Sequence, residues 1–356
     1  MLSVNTFFLE SAIDRQISFG GKSYFFFSGT SYLGIGQNAE FQEQLILGMK
    51  KWGLNHGMSR INNVRLSVYD EFEAYFAQQA QADAALVMSS GYLAGMTALQ
   101  LLTSKTDQIW VAPDTHPAIL PLNLKPDPRE SFESWKNNCL EKSHNLPPQR
   151  IVFLGNAVNP LIPEIHDYTW LKHIAQKHEV SFLLDDSHAF GVLGNDIFGT
   201  YAQWKKLPIR LVVSGSLGKG LGIPGGIILS DQKTGESLKK LPIYGGASPC
   251  PPGYLQAFLN SKEAFKQQAK TLKDRVSYFH QKNKLPNEVY GAENYPVFSY
   301  TNENWVQKLE KKNIITSSFH YPTAKDPAVN RIIISAFHRE DDIDYLLNTL
   351  QSIKQE

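Results

Sequence analysis

The sequence predicts an α/β layer built on a mainly parallel sheet, followed by a smaller α+β domain. Three observations carry that reading. Helix and strand signals alternate from about residue 38 to 240, as they do where crossover helices join parallel strands. The strand signals are continuous apolar runs: AALVM at 84–88, QIWVA at 108–112, IVFLG at 151–155, VSFLL at 180–184, IRLVV at 209–213 and GIIL at 226–229. Such runs suit strands covered on both faces. Residues 286–356 then break the alternation, with strand signals near 295–300 and 331–336 and helix signals near 303–312 and 340–353.

The remaining elements follow in order. FFF at 25–27 is short and reads as a strand. Residues 39–52 and 68–80 read as helices, and another helix follows Ser89-Ser90-Gly91. Amphipathic stretches at 129–142 and 167–178 lie between later strands. A long helix is expected over roughly 253–282. The expected division is a large domain at 38–252, a linking helix within 253–285 and a small domain at 286–356, with residues 1–37 packed on it.

Composition narrows the function classes. A chain of 356 residues, 42% of them hydrophobic, exceeds what one small core needs. A formal net charge of +1 gives no global basic field, so neither nucleic acid nor a membrane surface is an expected partner. Cys139 and Cys250 form no CxxC or zinc spacing and read as free thiols of an intracellular protein. No metal is expected. The N-terminus, MLSVNTFFLESAIDRQ, lacks the pattern of a signal peptide, and no apolar run reaches spanning length. The expected location is the cytoplasm.

Ligands of open α/β sheets sit beyond the carboxyl ends of the strands, so the residues after each apolar run are the ones to read. After ALVM come Ser89-Ser90-Gly91-Tyr92 and a helix start, whose free N–H groups suit a phosphate. Many strand-to-helix turns contain Ser-Gly, so this turn alone decides nothing. After VSFLL come Asp185-Asp186-Ser187-His188. Asp185 suits a ring nitrogen that must stay protonated, and His188 suits a neighbouring oxygen. A capping acid and a core histidine are the plainer alternatives. After IRLVV comes Ser214-Gly215-Ser216-Leu217-Gly218-Lys219-Gly220-Leu221-Gly222, one lysine among glycines that let backbone approach a ligand. A P-loop is excluded. Val213 stands where its first glycine belongs, and Gly220 where its Ser or Thr belongs. A lysine in a tight, partly desolvated turn suits Schiff-base chemistry instead, because burial frees the amine. Phosphate turn, acid with histidine, and glycine-flanked lysine form a set in this order. Together they match the needs of pyridoxal 5'-phosphate.

At these residues the sequence resembles the α-oxoamine synthases of the fold-type I pyridoxal-phosphate-dependent transferases. The matching stretches are SYLGIG at 31–36, ALVMSSGYLAGMTAL at 85–99, DDSHAFGVLG at 185–194, SLGKGLGIPGG at 216–226 and RIIISAFHREDDIDYLL at 331–347. The resemblance covers most of the chain from about residue 24, and the two middle motifs together are specific. It implies that Lys219 holds the cofactor, Asp185 pairs with its pyridine nitrogen and His188 sits near its phenolic oxygen. It also places His116, in APDTHPAIL, as an imidazole stacked on the ring. The phosphate would lie on Ser216 and the turn of Ser90, Gly91 and Tyr92. Arg331 would hold a substrate carboxylate, which its planar fork suits. Members of this fold are homodimers, and Ser248, in Gly245-Gly246-Ala247-Ser248-Pro249, would reach the partner's phosphate.

The activity so implied is decarboxylative condensation of a small amino acid with an acyl-CoA, most similar to 8-amino-7-oxononanoate synthesis in biotin formation. Two alternatives stay open: a class I/II aminotransferase on the same fold, and a catalytically idle pyridoxal-phosphate-binding protein. The sequence departs from the family in three places. The Glu and the Ser-Met-Asp/Glu-Gly turn usual after the strand at 151–154 are replaced by the shorter GNAVNPLIP at 155–163, with Asn159 in place of the serine. Tyr69 stands where a histidine is common, within MSRINNVRLSVYDEFE. The N-terminal segment is also shorter than usual.

Overall fold

The computed structural model describes residues 6–127, 129–321, 323 and 326–355. The chain divides into two compact units, one of Met1–Gln37, Leu161–Glu164 and Phe265–Glu356, the other of Asn38–Pro160 and Ile165–Ala264. The first unit opens on an antiparallel hairpin, β1 (Gln16–Phe19) and β2 (Lys22–Phe27). Its turn is Gly20-Gly21, both at positive φ, where glycine carries no steric penalty.

The larger unit contains six strands among the described residues: β3 (Ala84–Met88), β4 (Gln108–Val111), β5 (Arg150–Asn156), β6 (Glu179–Asp185), β7 (Arg210–Ser216) and β8 (Gly226–Ser230). They form one sheet in the order β3-β8-β7-β6-β5-β4. Strands β4 to β7 are parallel, as the apolar runs lead one to expect. β8 is antiparallel to both β7 and β3. The connection at 217–225 is too short for a crossover, which forces that reversal. Helix Gly91–Thr103 lies on the sheet with small residues inward. Ala94, Ala98, Leu99 and Leu102 pack against Leu86, Val152, Leu154, Leu183, Val212 and Ile228. Each of the leucine, valine and isoleucine side chains contributes about 1.5–3 kcal/mol on full burial, so the sheet edge above them is a rigid platform.

The smaller unit continues with β9 (Val289–Tyr290), β10 (Val297–Tyr300), β11 (Ile314–His320) and β12 (Ala328–Ile333). These join the hairpin in a second sheet, ordered β1-β2-β11-β12-β10-β9. One face of it is closed by aromatic contacts: Phe27 stacks on His338 and Phe25 meets Tyr345.

Several expectations need correction. The helix expected at 253–282 is two, Pro252–Asn260 and Lys262–Lys282, broken at the fully buried Ser261. The unit boundary falls inside the second of them. The stretch at 129–142 forms a helix over Phe132–Asn145, started by Ser131, whose Oγ accepts the Ser134 N–H at 3.1 Å. In 167–178 the α-helix covers only Leu171–Ile174. Strand β11 is additional, because its serines hide the apolar alternation. Among the described residues, no helix is long and apolar enough to cross a membrane.

Candidate active site

The site grows from the carboxyl ends of neighbouring strands in the larger unit. Cross-strand register sets Asn156 of β5 beside Asp185 of β6, and Asp185 beside Ser214 of β7. The turn after β3 meets the same edge. Ser90 caps the helix, its Oγ accepting the Leu93 N–H at 3.1 Å. A helix start leaves its first amides, here those of Gly91 and Tyr92, without intrahelical partners. A Cβ on Gly91 would lie 2.5 Å from the Ser216 Cα. Only glycine allows this approach, which brings the helix start against the serine three residues before Lys219. The Tyr92 side chain is exposed.

The two consecutive acids at the end of β6 have separate environments. Asp185 is buried. One of its oxygens accepts the Ser187 N–H at 2.7 Å, and the other faces His116 Nδ1 at 4.0 Å. Asp186 turns the other way and accepts from the Thr200 N–H at 2.6 Å and the Thr200 hydroxyl at 2.8 Å. Burial pushes its carboxyl up to about 7 against those hydrogen bonds. Of the pair, Asp185 faces the site and Asp186 holds a loop.

His116 is half-buried on the turn after β4. Its Nδ1 accepts the Ala118 N–H at 3.1 Å, so the neutral ring carries its proton at Nε2. Burial pushes its pKa down, with Asp185 opposing and the Lys219 charge adding to the fall. Asn156, which sequence reasoning did not single out, spans this turn. Its Oδ1 accepts the His116 N–H at 3.2 Å, and its Nδ2 donates to the Asp114 carbonyl at 2.6 Å. The one signal for it is its place at a strand end, as with Asp185.

Lys219 Nζ lies 3.2 Å from His188 Nε2. Its turn is fixed by the fully buried Leu217, Leu221 and Ile223. Gly220 makes room for the Phe190 carbonyl, which a Cβ there would approach to 2.3 Å. Ser216 donates its N–H to Ser187 Oγ at 2.9 Å, and its own Oγ accepts the Gly218 N–H at 3.2 Å. The structure therefore joins His116 with Asp185, His188 with Lys219, and Gly91 with Ser216.

Ser248, Tyr69 and Arg331 have surroundings of their own. Ser248 is exposed and lines a cavity of about 320 Å³ with Asn55, Gly57 and Ser59. Tyr69 is buried and donates to the Cys250 carbonyl at 2.7 Å, and the Arg60 guanidinium lies over its ring, 4.3 Å from the centroid. Arg331 belongs to the smaller unit. It is 9% exposed, lies over the Phe319 ring and has its pKa lowered by burial, with Tyr32 and Tyr295 opposing. The departure at 155–163 has a steric counterpart. A Cβ on Gly155 would come 2.3 Å from the Tyr168 hydroxyl, which donates to the Asn156 carbonyl at 2.9 Å. A side chain at 155 would have to displace the Tyr168 ring.

Residues 32–350 match the model of the aminotransferase class I and II family. The chain belongs to that family. It is 27% identical to the 8-amino-7-oxononanoate synthase of Petrotoga mobilis, over 97% of this chain and 92% of that one. Among solved structures it resembles serine palmitoyltransferase from S. paucimobilis with a TM-score of 0.82 and 17% identity, covering 98% of this chain and 92% of that one. It also resembles 8-amino-7-oxononanoate synthase from Francisella tularensis with a TM-score of 0.71 and 20% identity, covering 93% and 98%. These likenesses identify the chain's fold as that of the fold-type I transferases.

Proposed function

We propose that this chain is a pyridoxal-phosphate-dependent acyltransferase of the α-oxoamine synthase type, which condenses a small amino acid with an acyl-CoA and releases carbon dioxide. The observation that carries the reading is Lys219 at 3.2 Å from His188, on the same strand edge as the His116–Asp185 pair. The residues fit the cofactor. The site combines an amine, a buried acid beside an imidazole, and a helix start pressed on a serine, where a Cβ at Gly91 would close the cradle.

When bound, pyridoxal phosphate supplies an electron sink for the negative charge developed at the amino acid's Cα. The protein's residues do the rest. The Gly91 and Tyr92 amides, with Ser216 Oγ, bind the phosphate. Asp185 would keep a proton on the ring nitrogen, and neutral His116 would pack against the ring. Lys219 Nζ would anchor the cofactor and, as a free amine, would take the Cα proton as general base. His188 Nε2 binds the phenolic oxygen. Arg331 holds the substrate carboxylate through its fork.

Purified protein given pyridoxal phosphate should show a visible band that borohydride bleaches, with Lys219 modified in the peptide map. A protein that stays colourless would sink the reading. The amino acid among glycine, alanine and serine that perturbs the band names the first substrate to pair with acyl-CoAs. Release of free thiol marks the synthase. The second reading, an aminotransferase, is favoured by the breadth of the matched family and would yield a keto acid instead. An idle binding protein would yield neither.

A homodimer is supported by exposed apolar residues along one stretch of the larger unit: Ile46, Leu47, Leu54, Ile61 and Val64. In this reading Ser248 completes the partner's phosphate site. Sedimentation should give a dimer for the native chain and a monomer for Leu47→Glu with Ile61→Glu. A native monomer would remove the dimer. The proposed location is the cytoplasm, where acyl-CoA and biotin-type synthesis meet.

A further inference from the structure

We propose that Asp114 and His166 are positioning residues whose hydrogen bond holds the Pro113–His116 turn, and with it His116, in place. The inference rests on the cofactor-facing role proposed for His116. Backbone tethers fix most of this turn. Asn156 bonds the His116 N–H and the Asp114 carbonyl, and Thr115 Oγ1 donates to the Ala112 carbonyl at 2.7 Å and the Leu154 carbonyl at 3.2 Å.

The Asp114 side chain is the part that backbone does not hold. Its Oδ2 meets His166 Nε2 at 2.9 Å and accepts a longer bond from Asn156 Nδ2 at 3.4 Å, with the carboxylate 10% exposed and the imidazole 1% exposed. Its Oδ1 is buried without a hydrogen-bond partner among the described residues. A carboxylate so placed depends chiefly on the shorter of its two bonds, because a buried carboxylate left with one long bond rearranges toward water. Such a rearrangement would drag the turn two residues before His116.

His166 is itself well anchored. Its ring lies flat on Phe132, with centroids 3.9 Å apart and planes 10° apart. Its N–H donates to the Ala157 carbonyl at 3.0 Å. Residue 157 lies within the 155–163 stretch and residue 166 just after it. His166 therefore braces the turn from within the larger unit, through a bond that no motif in the sequence announces.

Two substitutions separate bonding from packing. His166→Gln keeps an N–H donor at similar reach and loses the stack, whereas His166→Phe keeps the stack and loses the donor. The readings are the affinity for pyridoxal phosphate by absorbance titration, and the His116 imidazole resonance in the cofactor-free protein. His166→Phe is expected to weaken the affinity by about 5- to 10-fold and to shift or broaden the His116 resonance. His166→Gln is expected to stay close to the native protein in both. The reverse order would overturn the proposal and leave His166 a packing residue. If His166→Phe does not fold, Asp114→Ala removes the same bond together with the longer Asn156 contact, and it is expected to shift both readings in the same direction. If the native protein takes up no pyridoxal phosphate, the functional reading fails, and the His116 resonance still decides the clamp.

Discussion

Lys219→Ala is expected to abolish turnover, with kcat falling by on the order of 10⁴ or more, because one side chain supplies both the covalent anchor and the base. The fold should survive. Lys219 is only partly buried, and its turn is held by Leu217, Leu221 and Ile223, which are fully buried. Melting temperature should stay within a few degrees of the native protein, the ordinary outcome for a change outside the core. The variant should still bind pyridoxal phosphate through the Gly91 turn and Ser216, but no band should remain that borohydride fixes to the chain. A small primary amine added to the solution should restore part of the proton transfer, since the missing group is an amine beside Cα. Substantial turnover without such an amine would show that Lys219 is a loop residue and that the reading of the whole site is mistaken.

The larger sheet and the lysine turn were legible because their physics is local. Strands covered on both faces must be apolar throughout, and β3 to β8 announce themselves as such runs. Strand direction is not encoded in a run. The reversal of β8 is legible only in the short connection at 217–225, which cannot hold a crossover. The break at Ser261 has neither proline nor glycine to mark it, and packing decides it. β11 was hidden because Thr316, Ser317 and Ser318 interrupt its apolar pattern, and the Ser28–Ser317 hydrogen bond at 2.7 Å exists only once the strands pair. The same limit applies at the site. Asp185, His188 and Lys219 stand at strand ends in distinctive company. Asn156, Asp114 and His166 are single polar residues in ordinary contexts, and they act across contacts 42 and 52 residues apart in sequence.

The adjacent acids Asp185 and Asp186 should fail in opposite ways. Asp185→Asn keeps an oxygen for the Ser187 N–H but removes the charge that faces His116 and would hold a proton on the ring nitrogen. Its kcat should fall by on the order of 10² to 10³, the range for removing one preorganised electrostatic partner, with melting little changed. Asp186→Asn should leave kcat close to native and alter stability instead. In the native fold the Asp186 carboxyl titrates near about 7, against an ordinary 3.8. Between those values the folded chain keeps a proton that the unfolded chain has released. Its contribution is therefore complete below about pH 4 and is lost as pH rises toward 7, by on the order of 4 kcal/mol at most. An amide cannot titrate and resembles the protonated acid in shape, so the variant should lose that slope and become the more stable protein at neutral pH. Calorimetry of both proteins from pH 4 to 7, beside steady-state rates, reads the two effects separately. Loss of turnover in the Asp186 variant, with the Asp185 variant active, would reverse the assignment of the two acids and place the ring nitrogen on the other side of the strand.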